Sequence, residues 1–243
     1  MNKLLKINNL SVGYEEEIVL KDLDFFISKG KITVILGKSG SGKSTILKTI
    51  IGLIPPIIGD ILLYDEKIDY YSEISLDKFY SRIGVLFQNG ALLNSMNLFD
   101  NVALPLRMKF INITEKEINE RVMKKLDQVG LLRFSEKFPA ELSGGMRKRG
   151  ALSRAMILEP ELIFCDEPSA GLDPVTASEL DDLMIKMRDE LNATLIVVTH
   201  ELRSINAIAD NALVLNDGRS EFFGKYNDLK KSNNEFIKKF LRS

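Results

Sequence analysis

Cysteine, histidine and an excess of charge of either sign are all scarce in this chain of 243 residues. The only cysteine, Cys165, cannot form an internal disulfide, which fits a reducing compartment. The 33 basic and 34 acidic side chains leave a formal net charge of -1. That balance excludes the large basic field on which non-specific nucleic-acid binding depends, so we expect no nucleic-acid partner.

Long hydrophobic runs are also missing. Lysine and asparagine interrupt residues 1–9 before the hydrophobic region of a signal peptide, about 7 to 15 residues long, is complete. The most apolar stretch, Ile50–Ile58, contains two prolines and is shorter than the roughly 20 residues that cross a bilayer. We therefore expect a chain that is not exported and that reaches a membrane only through a partner.

What the sequence does contain is typical of a globular α/β protein, with 45% hydrophobic and 28% charged residues. Three short apolar runs are continuous rather than alternating, which predicts strands covered on both faces, as in a parallel sheet between helices. These runs are Ile32–Leu36, Leu162–Cys165 and Leu195–Val198.

Two further regions differ from this pattern. Residues 4–27 have short alternating runs with a break at Gly13, which predicts an antiparallel hairpin region. Residues from about 91 to about 159 contain no convincing strand, and within them Thr114 and Glu117 have capping-box spacing. We predict one domain over residues 1–243, with a helical subdomain at about 91–159 inserted into the α/β core.

The clearest chemical motif follows the first predicted strand and precedes an apolar stripe at helical spacing. It fits the phosphate loop G-x-x-x-x-G-K-[ST], whose backbone N–H groups converge on phosphate oxygens. Lys43 is suited to reach the β- and γ-phosphates, and Ser44 to hold Mg²⁺. An accidental glycine-rich turn is the alternative, but the flanking strand and helix disfavour it. The predicted nucleotide-binding residues are Gly37, Lys38, Ser39, Gly40, Ser41, Gly42, Lys43, Ser44 and Thr45.

An acidic pair, Asp166 and Glu167, follows the second predicted strand. Open α/β sheets bind ligands at the carboxyl ends of their strands. Asp166 is suited to coordinate Mg²⁺ through water, and Glu167 to accept a proton from the attacking water. On its own such a pair is more often a solvated turn, but the upstream phosphate loop favours the catalytic interpretation.

Two polar residues follow other predicted strands. His200, the only histidine, ends the third strand, where a contact with a γ-phosphate is plausible, although a lone histidine is usually structural. Gln88 follows the apolar run 83–87, where an amide is suited to contact Mg²⁺ or the attacking water, although alone it would be a surface amide. We predict catalytic roles for both residues.

A second phosphate cradle is predicted about 100 residues downstream of the first. Ser143, Gly144 and Gly145 directly precede a predicted helix over 146–158, and a helix N-terminus favours anions. Glycine-rich helix starts are also common without any ligand.

Together these segments resemble the nucleotide-binding domains of ABC transporters. The motifs of that family occur here in its usual order: Walker A at 37–45, the Q-loop at Gln88, the signature at 142–146, Walker B at 162–167, the D-loop at 169–173 and the switch histidine at His200. The resemblance implies a P-loop NTPase core with an antiparallel β subdomain, and a head-to-tail dimer that sandwiches ATP and Mg²⁺. In such a dimer, residues 143–145 of one copy face the γ-phosphate bound by the other. Tyr14 matches the aromatic residue that stacks on adenine, with a role in the hairpin core as its alternative.

Finer details resemble the Mla/Mkl-type ATPases that energise lipid transport across the envelope. The matching segments are residues 87–92, 96–106, 139–149 and 166–176, and Met146 replaces the usual signature glutamine, as in that group. The resemblance implies a lipid cargo, a membrane permease and attachment at the cytoplasmic face of the inner (plasma) membrane, with MCE-domain and STAS-domain subunits as candidate partners. Because the chain ends at Ser243, we do not expect the tail that some relatives use to contact a STAS-domain subunit.

Rival functions are an ABC importer for amino acids or other small solutes, a soluble ABC protein acting on ribosomes or DNA, and a regulatory module without turnover. A single cassette without long heptads disfavours the second, and the presence of both Glu167 and His200 disfavours the third. The apolar stretch 92–106 is predicted to combine core positions with a groove for a permease helix. We expect Leu98→Glu to block docking there without harming the fold.

Overall fold

The computed structural model describes residues 2–14 and 17–241, which form two sheets and a set of helices. The strands are β1 (Lys3–Tyr14), β2 (Glu17–Ser28), β3 (Ile32–Gly37), β4 (Ile58–Leu63), β5 (Glu66–Lys67), β6 (Ile83–Leu86), β7 (Leu162–Asp166), β8 (Thr194–Val198), β9 (Asn211–Asn216) and β10 (Arg219–Lys225). The helices are α1 (Lys43–Ile50), α2 (Glu73–Tyr80), α3 (Leu98–Lys109), α4 (Glu115–Gln128), α5 (Gly144–Met156), α6 (Pro174–Leu191), α7 (Leu202–Ile208), α8 (Tyr226–Leu229) and α9 (Glu235–Phe240).

The larger sheet has six strands in the order β10-β9-β3-β8-β7-β6. Strands β9, β3, β8, β7 and β6 pair in parallel, and β10 adds an antiparallel edge. All three predicted runs lie in its centre, and β3 and β8 are buried at every position. The α/β prediction is therefore confirmed, and the carboxyl ends of β3, β7 and β8 meet at one edge.

The smaller sheet has the order β2-β1-β4-β5 and is antiparallel throughout. The expected break at Gly13 is wrong, because Gly13 lies inside the 12-residue strand β1. A Cβ at Gly13 would lie 1.9 Å from the carbonyl oxygen of Glu17 on β2. The glycine therefore permits a close backbone approach near the end of the hairpin rather than ending a strand.

Three hydrophobic cores hold these layers together. One joins the smaller sheet to one face of the larger sheet and to α1. A second covers the opposite face with α5, α6 and α7, and it includes the fully buried Cys165, whose thiol pKa is raised to about 12 by burial. The third lies within the helical region, where α3 and α4 pack with α5.

Helices α3, α4 and α5 occupy the segment in which the sequence showed no strand. Helix α4 begins with a capping box between Thr114 and Glu117, as its sequence predicts. Its stripe of Ile118, Val122 and Leu126 is buried in the third core. Helix α5 begins at Gly144, two residues earlier than predicted, because the Ser143 hydroxyl caps it by accepting from the backbone N–H of Met146.

The predicted groove at 92–106 is largely core. Leu98, Val102 and Leu106 have no exposed surface, so Leu98→Glu would place a charge inside the third core. The expectation that this variant keeps its fold is wrong, because α3 turns its apolar stripe toward α4 and α5. The exposed apolar side chains lie beside that stripe: Leu93, Met108, Phe110 and Ile111. No helix in residues 2–14 and 17–241 is long and apolar enough to cross a membrane.

Candidate functional site

The phosphate loop joins the end of β3 to the start of α1. Gly40 and Gly42 adopt φ values of 79° and 90°, which favour glycine. A Cβ at Gly42 would also lie 2.7 Å from the side chain of Leu20, so a larger residue is excluded there. The turn directs the N-terminus of α1 at the carboxyl edge of the larger sheet, where it favours bound phosphate.

Lys43 lies across this loop. Its Nζ donates to the carbonyl oxygens of Gly37 and Lys38, at 2.8 Å each. Burial lowers the pKa of Lys43, and the nearby carboxylates of Glu167 and Asp166 oppose that shift. The ammonium group is thus held over the loop by two neutral acceptors, which can exchange for phosphate oxygens.

Two carboxylates end β7. Burial is the main cause that raises the pKa of Asp166, the negative charge of Glu167 raises it further, and nearby lysines oppose the shift. Glu167 adopts φ +45°, an uncommon conformation for this residue type, and its backbone N–H donates to Val198 on β8 at 2.8 Å. Its Oε2 is buried without a hydrogen-bond partner in the described residues. That orphaned acceptor fits a water-activating role.

His200 faces this glutamate. Its Nδ1 lies 2.8 Å from Oε1 of Glu167. Because a carboxylate only accepts, Nδ1 carries the proton in this contact, and Nε2 of a neutral ring is then an acceptor. The imidazole is therefore free to donate to a γ-phosphate oxygen once it has released Glu167.

A cavity of about 770 Å³ unites most of the predicted site. Its lining includes Gln88, Asp166, Glu167 and His200. From the phosphate loop it includes Gly37, Lys38, Ser39, Gly40, Gly42, Lys43, Ser44 and Thr45. Four separate segments, far apart in sequence, are thus brought to one edge of the sheet, as the strand-end argument predicts.

The other predicted site residues do not line this cavity. Ser41 is turned inward and its hydroxyl is buried, Tyr14 ends β1 with 47% of its surface exposed, and residues 143–145 lie at the start of α5. Gly145 packs closely on α6, since a Cβ there would lie 2.3 Å from the Thr176 side chain. Within one chain, the two predicted phosphate cradles are therefore separate.

The residues at the cavity fit a hard divalent cation. Asp166 supplies a carboxylate, Ser44 a hydroxyl and Gln88 an amide oxygen, and Mg²⁺ prefers oxygen ligands. Across residues 2–14 and 17–241 there is no cluster of three or more histidine, cysteine or acidic side chains suited to hold a metal. The chemistry of this donor set therefore fits Mg²⁺ shared with a phosphate better than a transition metal enclosed by the protein.

Sequence patterns missed four residues at or near this site. Val19, Leu202 and Phe240 line the cavity, and Lys38 lies over the ring of Phe236, with its Nζ 5.1 Å from the ring centre. These are apolar residues in ordinary elements, so no motif marks them. A fifth residue, Lys148 on α5, is buried and contacts two site segments, and no local motif marks it.

Comparisons with known proteins agree with this geometry. The sequence pattern of the ABC transporter family matches residues 20–170. The chain is 39% identical over 241 residues to "Probable ribonucleotide transport ATP-binding protein mkl" of Mycobacterium tuberculosis, covering 99% of this chain and 67% of the relative. It is 38% identical over 238 residues to "Intermembrane phospholipid transport system ATP-binding protein MlaF" of Escherichia coli, covering 98% and 88%.

Two solved structures have the same fold. The chain matches cbiO1 of Clostridium perfringens, part of the ABC transporter complex cbiONQ, with a TM-score of 0.88 and 31% identity, covering 98% of this chain and 94% of the other. It matches the dimeric post-hydrolysis state of the ATP-binding cassette MJ0796, bound to ADP and Pi, with a TM-score of 0.82 and 31% identity, covering 91% and 98%. With a phosphate loop, an acidic strand end and relatives aligned over almost its whole length, the chain belongs to the ABC transporter family, as an ATP-binding and ATP-hydrolysing subunit.

Proposed function

We propose that this chain powers the movement of phospholipid or another lipid across the cell envelope. The support is its 38% sequence identity to MlaF proteins, which are named for intermembrane phospholipid transport. The methionine at position 146 of the signature supports the same cargo. One domain, residues 1–243, supplies the ATPase, with a helical subdomain at about 91–159. The single observation that carries the catalytic part is the cavity in which Lys43, Glu167 and His200 meet.

In this proposal the phosphate loop binds the phosphates of ATP and Glu167 acts as general base. A water oxygen attacks the γ-phosphorus, the bond to the β–γ bridging oxygen breaks, and Glu167 accepts the proton of the water. His200 orients Glu167 through the Nδ1 contact and reports on the γ-phosphate. Gln88 contacts the attacking water from the β6 side.

Mg²⁺ is the cofactor that this site would hold with ATP. Ser44, Asp166 and Gln88 are its proposed ligands, with Asp166 acting through water. When bound, the cation neutralises charge that develops on the phosphate oxygens. Lys43 supplies a positive charge from the phosphate loop itself.

A second copy of the chain completes each nucleotide site. Ser143, Gly144 and Gly145 lie outside the cavity of their own chain, so they are available to the phosphate bound by a head-to-tail partner. MJ0796, which is similar throughout, forms dimers. Tyr14 is proposed to stack on adenine, since its ring is 47% exposed at the end of β1.

The proposal includes membrane partners. A permease subunit would hold the chain at the cytoplasmic face of the inner membrane, and MCE-domain and STAS-domain proteins are further candidate subunits. Exposed apolar side chains at the end of α3 and just after it offer the permease a surface, with Met108 76% and Ile111 95% exposed. The name of the mkl relatives favours a second candidate, a polar small-solute cargo such as a ribonucleotide.

The variant Glu167→Gln tests the catalytic assignment. It keeps the shape of the side chain but removes its basicity, so turnover should fall by about 10²-fold or more while ATP affinity persists. Glu179→Gln, on the exposed surface of α6, is the matched control and should hydrolyse ATP like the wild type. Near-normal turnover of Glu167→Gln, measured as phosphate release, would remove Glu167 from the mechanism.

Reconstitution tests the cargo. The chain and its permease, in vesicles that contain a fluorescent phospholipid, should move the lipid only with ATP and Mg²⁺. Glu167→Gln should abolish that movement. If the same complex instead transports labelled ribonucleotides or amino acids and leaves the lipid in place, the lipid cargo is wrong while the ATPase assignment stands.

A further inference from the structure

Lys148 is a buried lysine in the second turn of α5, with only 6% of its surface exposed. Its Nζ donates to the backbone carbonyl oxygen of Gln88, and to that of Glu167 at 3.1 Å. Both acceptors belong to segments that end neighbouring strands, β6 and β7. One side chain thus connects two loops of the nucleotide site with a third element.

The cost of burying this charge is not offset by an ion pair. In the described parts of the chain no carboxylate lies within 4.0 Å of Lys148, although Glu167 and Asp166 act on it at longer range. A buried cation without a close counter-ion is expensive, and a methionine of similar length would fill the same space at lower cost. Packing alone therefore does not account for a lysine here.

The two carbonyl groups matter because of the residues that bear them. Glu167 has a positive φ, so its peptide plane is held away from the usual strand direction. Gln88 lies in the turn after β6, outside the strand ladder. Fixing the carbonyl of each residue limits rotation of the backbone that carries its side chain into the cavity.

The third element is the helix that begins with Ser143 and Gly144. Lys148 lies one helical turn beyond these residues, so motion of the α5 N-terminus moves the donor that holds Gln88 and Glu167. In the proposed dimer, that N-terminus contacts the nucleotide of the other copy. A rigid connection therefore runs from one nucleotide site to the other through a single ammonium group.

We propose that Lys148 is a positioning residue for ATP hydrolysis, which sets the backbone of Gln88 and Glu167 and couples both to the signature helix. The inference rests on the proposed roles of Glu167 and of the head-to-tail dimer. It assigns Lys148 no contact with ATP. Its loss should consequently slow the chemical step and spare nucleotide affinity.

The chain offers a matched control in Lys125 on α4. Lys125 is 7% exposed, and burial lowers its pKa as it does for Lys148. Its Nζ instead lies 3.7 Å from a carboxylate oxygen of Glu159, whereas that of Lys148 donates to Gln88 and Glu167. K148M and K125M remove the same charge from equally buried places. Both should lower the urea midpoint, so stability alone does not distinguish them.

The test is steady-state ATPase kinetics of both variants, with ATP affinity measured separately. K148M should lower kcat by about 10- to 100-fold, the range expected of a misplaced catalytic group, and leave the ATP Kd within about twofold. K125M should keep kcat within about twofold of the wild type. K148R, which keeps cationic donors, should recover at least about a third of the kcat lost in K148M.

A wild-type kcat in folded K148M, or equal losses of kcat in K148M and K125M, would overturn the proposal. If K148M does not fold, K148Q replaces it, and the same split between kcat and Kd supports the proposal while unchanged kcat defeats it. Glu167→Gln separates this inference from the proposed function. An active Glu167→Gln enzyme refutes the general base, whereas an inactive one beside a fully active K148M refutes only the positioning role.

Discussion

Two regions of the molecule are held in place in opposite ways. One is the phosphate-loop edge, residues 37–45, 166–167 and 200, and the other is the α3 region, residues 92–111. At the edge, backbone geometry positions the polar groups, with positive φ at Gly42 and Glu167. In the α3 region, apolar side chains decide the structure, and exposure rises from 0% at Leu98 to 95% at Ile111. Substitutions at the edge should therefore change chemistry more than stability, and substitutions at buried α3 positions should do the reverse.

The largest effect is expected in the α3 region. Leu98→Glu places a carboxylate in a fully buried position, so the free energy of unfolding should fall by more than about 4 kcal/mol. Ile111→Glu changes a 95% exposed side chain and should stay within about 0.5 kcal/mol of the wild type. Urea denaturation measures both. Equal stability of the two variants would contradict the burial of the α3 stripe.

Asp181 and Asp166 both have a raised pKa, but only Asp166 lines the cavity. Asp181 on α6 is 3% exposed, and burial raises its pKa from 3.8 to about 6. The native state thus binds the proton more tightly, and the unfolding free energy should fall by up to about 3 kcal/mol as pH rises from about 4 to about 6. In Asp181→Asn that part of the slope should vanish. Denaturant titrations at several pH values measure how the unfolding free energy of each protein changes with pH. The same slope in Asp181→Asn as in the wild type would mean that Asp181 is ionised in the fold.

At the edge itself, Lys43→Ala should weaken ATP binding without unfolding the chain. A charge-assisted hydrogen bond to phosphate is lost, so the ATP Kd should rise by about 10- to 100-fold. Lys116→Ala removes an exposed lysine from α4 and should leave the Kd unchanged. Calorimetry with ATP and Mg²⁺ gives both values. Wild-type affinity in Lys43→Ala would place the phosphates elsewhere.

The smallest effect is expected at His200, which is largely exposed and touches Glu167 through one contact. His200→Ala should lower the turnover of bound ATP by about 10-fold and change ATP affinity much less. Single-turnover hydrolysis and equilibrium binding separate the two quantities. Equal losses of ATP and ADP affinity, with unchanged turnover of the bound complex, would indicate a structural histidine.

The difference between the two regions also explains what the sequence could predict. Continuous apolar runs identify parallel strands, and the ends of parallel strands share an edge, so the sequence alone predicts that Asp166 and His200 lie at the same edge. An amphipathic helix carries less information. Its stripe shows that Leu98 packs against something, but not whether the partner is α4 in the same chain or a helix of another protein.

Contacts that depend on tertiary geometry could not be predicted from the sequence, for a related reason. The approach of Phe240 to the cavity and the two hydrogen bonds of Lys148 join segments distant in sequence, and no local pattern encodes them. The misplaced break at Gly13 is similar, since the need for glycine arises across the hairpin, at Glu17. Local chemistry predicted most of the polar residues that line the cavity, and packing decided which other residues surround them.

The central claim is that each chain carries two halves of different nucleotide sites, one at the phosphate-loop edge and one at Ser143 to Gly145. The most direct measurement is the mass of Glu167→Gln protein by sedimentation equilibrium, with and without ATP and Mg²⁺. The protein should be a 27.4 kDa monomer without nucleotide and a dimer with ATP, and adding Ser143→Arg to this variant should keep it monomeric while ATP still binds. A monomer that binds ATP at full occupancy, or a dimer that Ser143→Arg leaves intact, would contradict the claim.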